Sequence, residues 1–311
     1  MPKGDNEKMS VQYPLFFIQR FKGKVLFDVP MSGHTSLRIG GNADVMAFPQ
    51  DETDLKDIVN FAESKGFDYY IMGAGTNLLV RDGGVRGIVV NLSEGFKDIV
   101  WNDDLGADVG AGVMLPELVQ LCAKKGLSGL EFASGIPGTV GGAVAMNAGA
   151  YGGEIKDVID AVEVITKKGQ RLFIPKGELE FSYRHSELPK GSIVVRAHMA
   201  FKKEDPAAIR EKIKDIKDKR KGASGIHYPN AGSIFKNPPE CPAGRLIEEA
   251  GFKGLKTGDA MVSDVHANYI VNTGNAKAKD VLSLMAQIRD KVYGEKGIVL
   301  EPEIKVIGED F

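Results

Sequence analysis

With 311 residues, 43% hydrophobic and 26% charged positions and a net charge of −2, the chain has the balance of an ordinary soluble globular protein long enough for two domains. Near-neutral charge gives no reason to expect nucleic-acid or membrane-surface binding, and a monomer is the expected state. No apolar run approaches the roughly 18 residues that span a bilayer, and the polar opening MPKGDNEKMS lacks the apolar core of a secretion signal, so a cytoplasmic location is expected.

In chain order, Asp51–Lys65 carries Leu55, Ile58, Val59 and Ala62 at i, i+3, i+4 and i+7 behind acidic residues suited to a helix start. The runs YYIM and GIVVNL then flank a glycine-rich loop, which predicts a β-α-β unit with a further strand. A second unit follows: GADVGAGV as strand and turn, then a helix with Pro116 in its first turn and Leu115, Leu118, Val119 and Cys122 on one face. Cys122 and the distant Cys241 form no C-x-x-C pair and read as reduced thiols; no metal site is expected. From Ala161 to Phe201 the texture is β-rich: AVEVIT, a KKG turn, QRLFIP and SIVVRAHMAF. Pro206 opens a charged helix to about Lys221 with Ile209, Ile213 and Ile216 as its apolar seam, and a domain boundary is placed near Glu204. Beyond it come a helix ending at Gly251, strands around DAMVS and NYIVN, a long helix with Val281, Leu284, Met285, Ile288 and Val292, and a closing strand IVLEPEIKVIG. The fold class is α+β.

Glycine, at 38 residues, stands well above its usual share. It concentrates in GAGTNLLV (73–80) and GIPGTVGGAVAMNAGAYGG (135–153), where close backbone approach and successive N–H groups suit a pyrophosphate. No dinucleotide fingerprint is present, because after Gly73 and Gly75 the third glycine position is Leu78 and after Gly110 and Gly112 it is Leu115, and no G-K-[ST] makes a phosphate loop of the nucleoside-triphosphatase kind. Tight turns and close packing remain the competing account of the shorter loop. Asn147 is either an amide cap for its loop or a contact to whatever the loop holds.

The stretches HTSLRIGGNAD (34–44), GAGTNLLVRDGGVRG (73–87), GLSGLEFASGIPGTVGGAVAMNAGAYGGEI (126–155), FSYRHS (181–186), NAGSIFKNP (230–238), HANYIVNTGNA (266–276) and LEPEIKVIG (300–308) together resemble the UDP-N-acetylenolpyruvoylglucosamine reductase family. The absence of an insertion between FSYRHS and NAGSIFKNP is similar to the shorter of that family's two subtypes. The resemblance implies a two-part FAD-binding domain of the vanillyl-alcohol-oxidase type over residues 1–203, with halves at about 1–97 and 98–203, and a substrate-binding domain over 204–311. It implies non-covalent FAD held by Gly73, Ala74, Gly75, Thr76, Asn77 and Leu78, and by Gly135, Gly138, Thr139, Gly141, Gly142, Asn147 and Gly149. NADPH is the implied co-substrate, and the enolpyruvyl group of UDP-N-acetylenolpyruvoylglucosamine the group reduced, giving UDP-N-acetylmuramate for peptidoglycan synthesis.

The implied chemistry explains an isolated serine. Ser233 has no elbow of the G-x-S-x-G kind and no acid to orient His227, so a nucleophile is poorly served there. Hydride addition to an enol ether generates an enolate, which is basic enough to take a proton from an unactivated hydroxyl, and the resemblance assigns that donor to Ser233. Arg184 is implied to grip the carboxylate bidentately and Glu303 to stand beside it. Alternation along LEPEIKVIG puts Leu300, Ile304 and Val306 on one face and Glu301, Glu303 and Lys305 on the other, so both glutamates qualify; Glu301 is read as a solvated partner of Lys305. Tyr183, Lys236, Asn237 and His266 are expected at the substrate, with Asn268 lining the same pocket and Arg220 and Lys221 a candidate pair for the diphosphate. A flavin oxidase on the same fold, a serine hydrolase using Ser233 with His227 and a non-catalytic nucleotide-binding module are the rival readings.

Overall fold

The computed structural model describes residues 21–102, 105–224 (side chains as far as 220) and 226–310. The expectations drawn from the N-terminal twenty residues and from the side chain of Lys221 lie outside the described residues. Within them, no helix is long and apolar enough to cross a membrane.

The chain forms two compact units. In the first, Asp51 turns extended and accepts the N–H of Asp54, starting the helix Glu52–Lys65 over two first-turn acids. Leu55, Ile58, Val59 and Ala62 are buried as their spacing predicts, and Gly66 ends the helix at φ 69°, where a side chain would be strained. The carboxylate of Asp54, 1% exposed, also collects the N–H groups of Lys22, Gly23 and Gln50. The neighbouring sheet runs Lys24–Pro30, Asn42–Phe48, Val85–Asn91, Tyr69–Met72, with the last two strands parallel. A five-stranded antiparallel sheet follows, ordered Arg171–Pro175, Ile159–Ile165, Ile193–Ala200, Gly106–Gly110, Ile99–Asn102. Its one buried acid, Glu163, is paired with Arg171 and with Nε2 of His198, whose Nδ1 meets Asp108 at 2.7 Å. A satisfied polar cluster explains a charge among the buried residues of this strand.

The second unit gathers the helix Ala243–Glu249, the long helix Ala278–Lys296 and the three-stranded sheet Lys256–Thr257, Ala260–Val262, Ile270–Asn272 around one core. Val281, Leu284, Met285, Ile288 and Val292 all face that core.

Two expectations are corrected here. The chain does not divide once near residue 204: the first unit takes Ala43–Gly73 and Gly87–Pro206, while Pro30–Asn42 and Ala74–Arg86 join the residues from Ala207 on. The reason is burial and pairing, since Leu37, Ile39 and Leu79 belong to the second unit's core and Leu78–Val80 pairs in parallel with Lys305–Ile307. The closing stretch is not one long strand either. Only Lys305–Ile307 is regular, and Pro302, which cannot donate to a ladder, leaves a single bridge to Phe235. The alternation survives in part: Leu300 and Ile304 are buried and Glu301 and Lys305 exposed, while Glu303 and Val306 are both half-buried and Pro302 is exposed.

Candidate active site

In the first unit the long glycine loop enters the short helix Val140–Ala145, capped by Thr139, whose hydroxyl accepts from the N–H of Gly142. The first N–H groups of this helix are already used: Val140 donates to Val113 and Gly141 to Ala111, each at 2.9 Å. Donors remain earlier in the loop. Among the described residues, the N–H groups of Gly135 and Gly138 reach no acceptor, and the same holds for Gly75 in the second unit. No carboxylate lies in 73–78 or 135–149. Unpaired backbone donors without competing acid are what a pyrophosphate requires, and the first unit's loop offers them by itself, so its residues fit FAD.

The glycines of these loops divide by task. A Cβ on Gly73 would stand 2.3 Å from the Thr139 hydroxyl, and one on Gly141 would stand 2.8 Å from the Ala111 methyl, so both are glycine because the protein packs there. Gly142 differs: it is exposed, and a Cβ there would meet only the Thr139 hydroxyl at 3.7 Å. Gly138 is at φ 126°, a conformation that side chains strain.

Of the two roles left open for Asn147, the amide clasp is the one its side chain performs within the protein. The residue is 0% exposed; its Nδ2 donates to Glu154 at 3.1 Å and to the Ser182 carbonyl at 2.9 Å, and its Oδ1 accepts from the N–H of Lys156. Every amide proton is spent inside the protein. Ser182 belongs to the hairpin Glu180–Ser182/His185–Glu187, which leaves Tyr183 and Arg184 as its two-residue tip. Arg184 sits there at φ 58°, an unusual conformation for a side-chain-bearing residue and one that recurs at functional sites. Its Nη2 donates to the Gly149 carbonyl at 2.7 Å and its guanidinium lies 4.9 Å from the centroid of the Tyr183 ring. Tyr183 is exposed and Arg184 half-buried, so ring and guanidinium are both reachable from solvent.

In the second unit, Ser233–Lys236 is held from two sides. Ile234 donates to the Asn268 carbonyl, and the Asn268 side chain both accepts from and donates to the backbone of Phe235, at 3.0 and 2.8 Å. From the other side, Glu303 donates its N–H to Ile234 and Lys236 donates to the Glu301 carbonyl, each at 2.8 Å. Asn77 steadies the glutamate strand in turn, donating Nδ2 to the Glu303 carbonyl at 3.1 Å and accepting from the N–H of Lys305. The structure therefore brings Ser233 and Glu303 onto one braced patch, together with the end of the 74–78 loop. Ser233 is half-buried, and its hydroxyl has no hydrogen-bond partner among the described residues, His227 included.

The other expected substrate residues fare differently. Lys236 pairs with Glu301 at 3.3 Å, so Glu301 is a partner of Lys236 rather than of Lys305. Asn237 accepts the N–H of Ala243 at the start of the helix Ala243–Glu249. Asn268, 3% exposed, holds the backbone of Phe235 with both ends of its amide. Burial lowers the pKa of His266 below its ordinary value, and its Nδ1 accepts the N–H of Asn268 at 3.2 Å, so the neutral ring presents Nε2–H as a donor. Arg220 is half-buried near the end of the helix Pro206–Ser224. Sequence reasoning missed Glu154, Lys156 and the true task of Asn268, because each acts across turns or between segments that share no local pattern. Among the described residues, no group of three His, Cys, Asp or Glu side chains is arranged to hold a metal.

Residues 224–307 match the C-terminal domain of UDP-N-acetylenolpyruvoylglucosamine reductase, and residues 43–174 match an FAD-binding domain. The reductase of Moorella thermoacetica is 46% identical over 288 residues, 93% of this chain and 95% of that protein. The reductase of Syntrophus aciditrophicus is 42% identical over 97% of this chain and 99% of its own length. The crystal structure of the reductase from Thermus caldophilus superposes with a TM-score of 0.78 at 40% identity, covering 92% of this chain and 99% of that one. Identity at this level over nearly the whole length places an FAD-binding α+β chain among oxidoreductases, and the chain belongs to the UDP-N-acetylenolpyruvoylglucosamine reductase family.

Proposed function

We propose that the chain reduces the enolpyruvyl group of UDP-N-acetylenolpyruvoylglucosamine with NADPH, giving UDP-N-acetylmuramate for peptidoglycan precursor synthesis. Bound FAD, held without a covalent link, supplies the hydride chemistry. The protein's part is to hold the substrate carboxylate, stabilise the charge that develops beside it and deliver one proton. Arg184, at its hairpin tip, is the carboxylate ligand, since its planar fork matches a carboxylate and stays charged throughout. Ser233 donates the proton from Oγ to the enolate carbon. Glu303, whose own N–H braces Ile234, completes the charged set, and the Nε2–H of His266 is a donor for the substrate's polar groups. As supporting expectations, the protein works in the cytoplasm as a monomer and binds neither nucleic acid nor membrane.

One observation carries the proposal: a serine hydroxyl without a base or any other partner among the described residues, on a backbone braced from both sides. A hydrolase nucleophile needs a base at its hydroxyl; a proton donor to a carbanion does not. Ser233→Ala tests this by separating the half-reactions. Flavin bleaching by NADPH should proceed at a near-normal rate, whereas reoxidation by the enolpyruvyl substrate should slow by roughly 10²–10⁴-fold in stopped flow. Normal reoxidation would take the proton away from Ser233, and equal slowing of both steps would indicate a misplaced flavin instead.

A further inference from the structure

Arg184 is long, flexible and set in a strained backbone, so something must fix where its guanidinium points. The Gly149 carbonyl holds one edge at Nη2 and the Tyr183 ring covers a face. Glu154 supplies what these lack, a charge of opposite sign. The place where a Cβ of Gly149 would stand lies 2.8 Å from Cγ of Glu154 and 3.3 Å from Nη1 of Arg184, so both side chains pass beside a glycine that leaves them room, and their opposite charges attract.

Glu154 is itself braced. Lys156 reaches its Oε2 at 2.6 Å, Asn147 donates to the same oxygen at 3.1 Å, and Asn147 also holds the Ser182 carbonyl two residues before Arg184. The lysine's hydrogen bond, followed by the amide's, holds the Glu154 carboxyl below the usual glutamate range, so it stays ionised wherever the enzyme works. The buried amide thus joins the acid to the hairpin that carries the arginine.

We infer that Glu154 is a positioning residue for the reaction, acting through Arg184: its braced carboxylate keeps the guanidinium in the orientation that grips the substrate carboxylate. The inference rests on the role given to Arg184 in the proposed function. Geometry of this kind is worth much, since a displacement of about 1 Å at a reacting group can cost on the order of 100-fold in rate.

A double-mutant cycle on the two half-reactions of the full-length, FAD-loaded protein tests it. Glu154→Gln keeps the shape and removes the charge. It should slow flavin reoxidation by the enolpyruvyl substrate by roughly 10- to 100-fold, with NADPH reduction near normal. In an Arg184→Ala background the same change should slow reoxidation by less than about twofold, because the residue it acts through is gone. If Arg184→Ala alone leaves reoxidation intact, the role of Arg184 falls and this inference falls with it. If Arg184→Ala slows reoxidation but Glu154→Gln slows it equally in both backgrounds, the role of Arg184 stands and the positioning role of Glu154 is overturned. Should Glu154→Gln lose its flavin, Lys156→Met loosens the same carboxylate with less disturbance. It should give a smaller slowing that again disappears without Arg184, and an equal slowing in both backgrounds would overturn the inference in the same way.

Discussion

At the scale of single residues, the loop glycines show how one letter can serve unrelated ends. Gly73 and Gly141 are glycine because Thr139 and Ala111 fill the space a Cβ would need, whereas Gly142 faces outward with room around it. Gly142 is therefore the clean probe of the cofactor loop. Valine there meets no backbone within 4 Å and suits a helix better than glycine does, so folding and thermal midpoint should hold or improve. A branched side chain at the loop's open face should still weaken FAD binding by at least roughly tenfold, about 1.4 kcal/mol, read from flavin titration of the apoprotein. Unchanged affinity would place the pyrophosphate elsewhere. The sequence marked the loop as a place for a ligand, but it could not sort its glycines, because the partners that decide lie up to 66 positions away, as Thr139 does from Gly73. Asn147 was ambiguous for the same reason: its acceptors, Glu154 and the Ser182 carbonyl, become neighbours only when the hairpin folds back.

At the scale of elements, periodicity carried the reading well where an element has one wet face and one dry one. The helices Glu52–Lys65 and Ala278–Lys296 bury the residues their spacing marks. It failed at the closing stretch, where alternation persists through a segment that Pro302 keeps from being a strand. The same region hides a clamp. Asn268 returns both hydrogen bonds to the backbone of Phe235, a residue 1% exposed, and nothing in HANYIVN reveals a partner 33 positions earlier. Asn268→Ala leaves a buried N–H and a buried carbonyl unsatisfied, at about 1–3 kcal/mol for each group. Asn237→Ala acts at an exposed residue and removes its bond to the Ala243 N–H at a helix start, worth about 1 kcal/mol. Urea unfolding of the holoprotein should rank the first as clearly the more destabilising. Because Ser233 lies two residues from the clamped Phe235, Asn268→Ala should also slow flavin reoxidation while sparing its reduction. Equal stabilities for the two variants would mean that the clamp is not what holds the serine segment.

At the scale of the whole molecule, the chain interleaves its two units, and no reading of composition or charge along the sequence could show that. A boundary near Glu204 follows from a change of texture, but two short segments far upstream belong with the residues beyond it. Leu37, Ile39 and Leu79, at 0%, 2% and 0% exposure, complete the second unit's core. The strand Leu78–Val80 pairs with Lys305–Ile307, Asn272 donates to the Leu37 carbonyl at 3.1 Å, and Asp82 accepts the N–H groups of Ala278 and Lys279 at the start of the long helix. Burying the three leucine and isoleucine side chains contributes about 1.5–3 kcal/mol each. A typical domain has a net stability of only about 5–15 kcal/mol, so their loss alone consumes much of it. The helix cap adds about 1 kcal/mol, and the unpaired strand edge would be left open to aggregation. A fragment covering residues 207–311 should therefore show no cooperative thermal transition by circular dichroism and should aggregate on concentration. A sharp, reversible transition in that fragment would show that the C-terminal residues fold without the two upstream segments, and that those segments lie on a finished core instead of completing it.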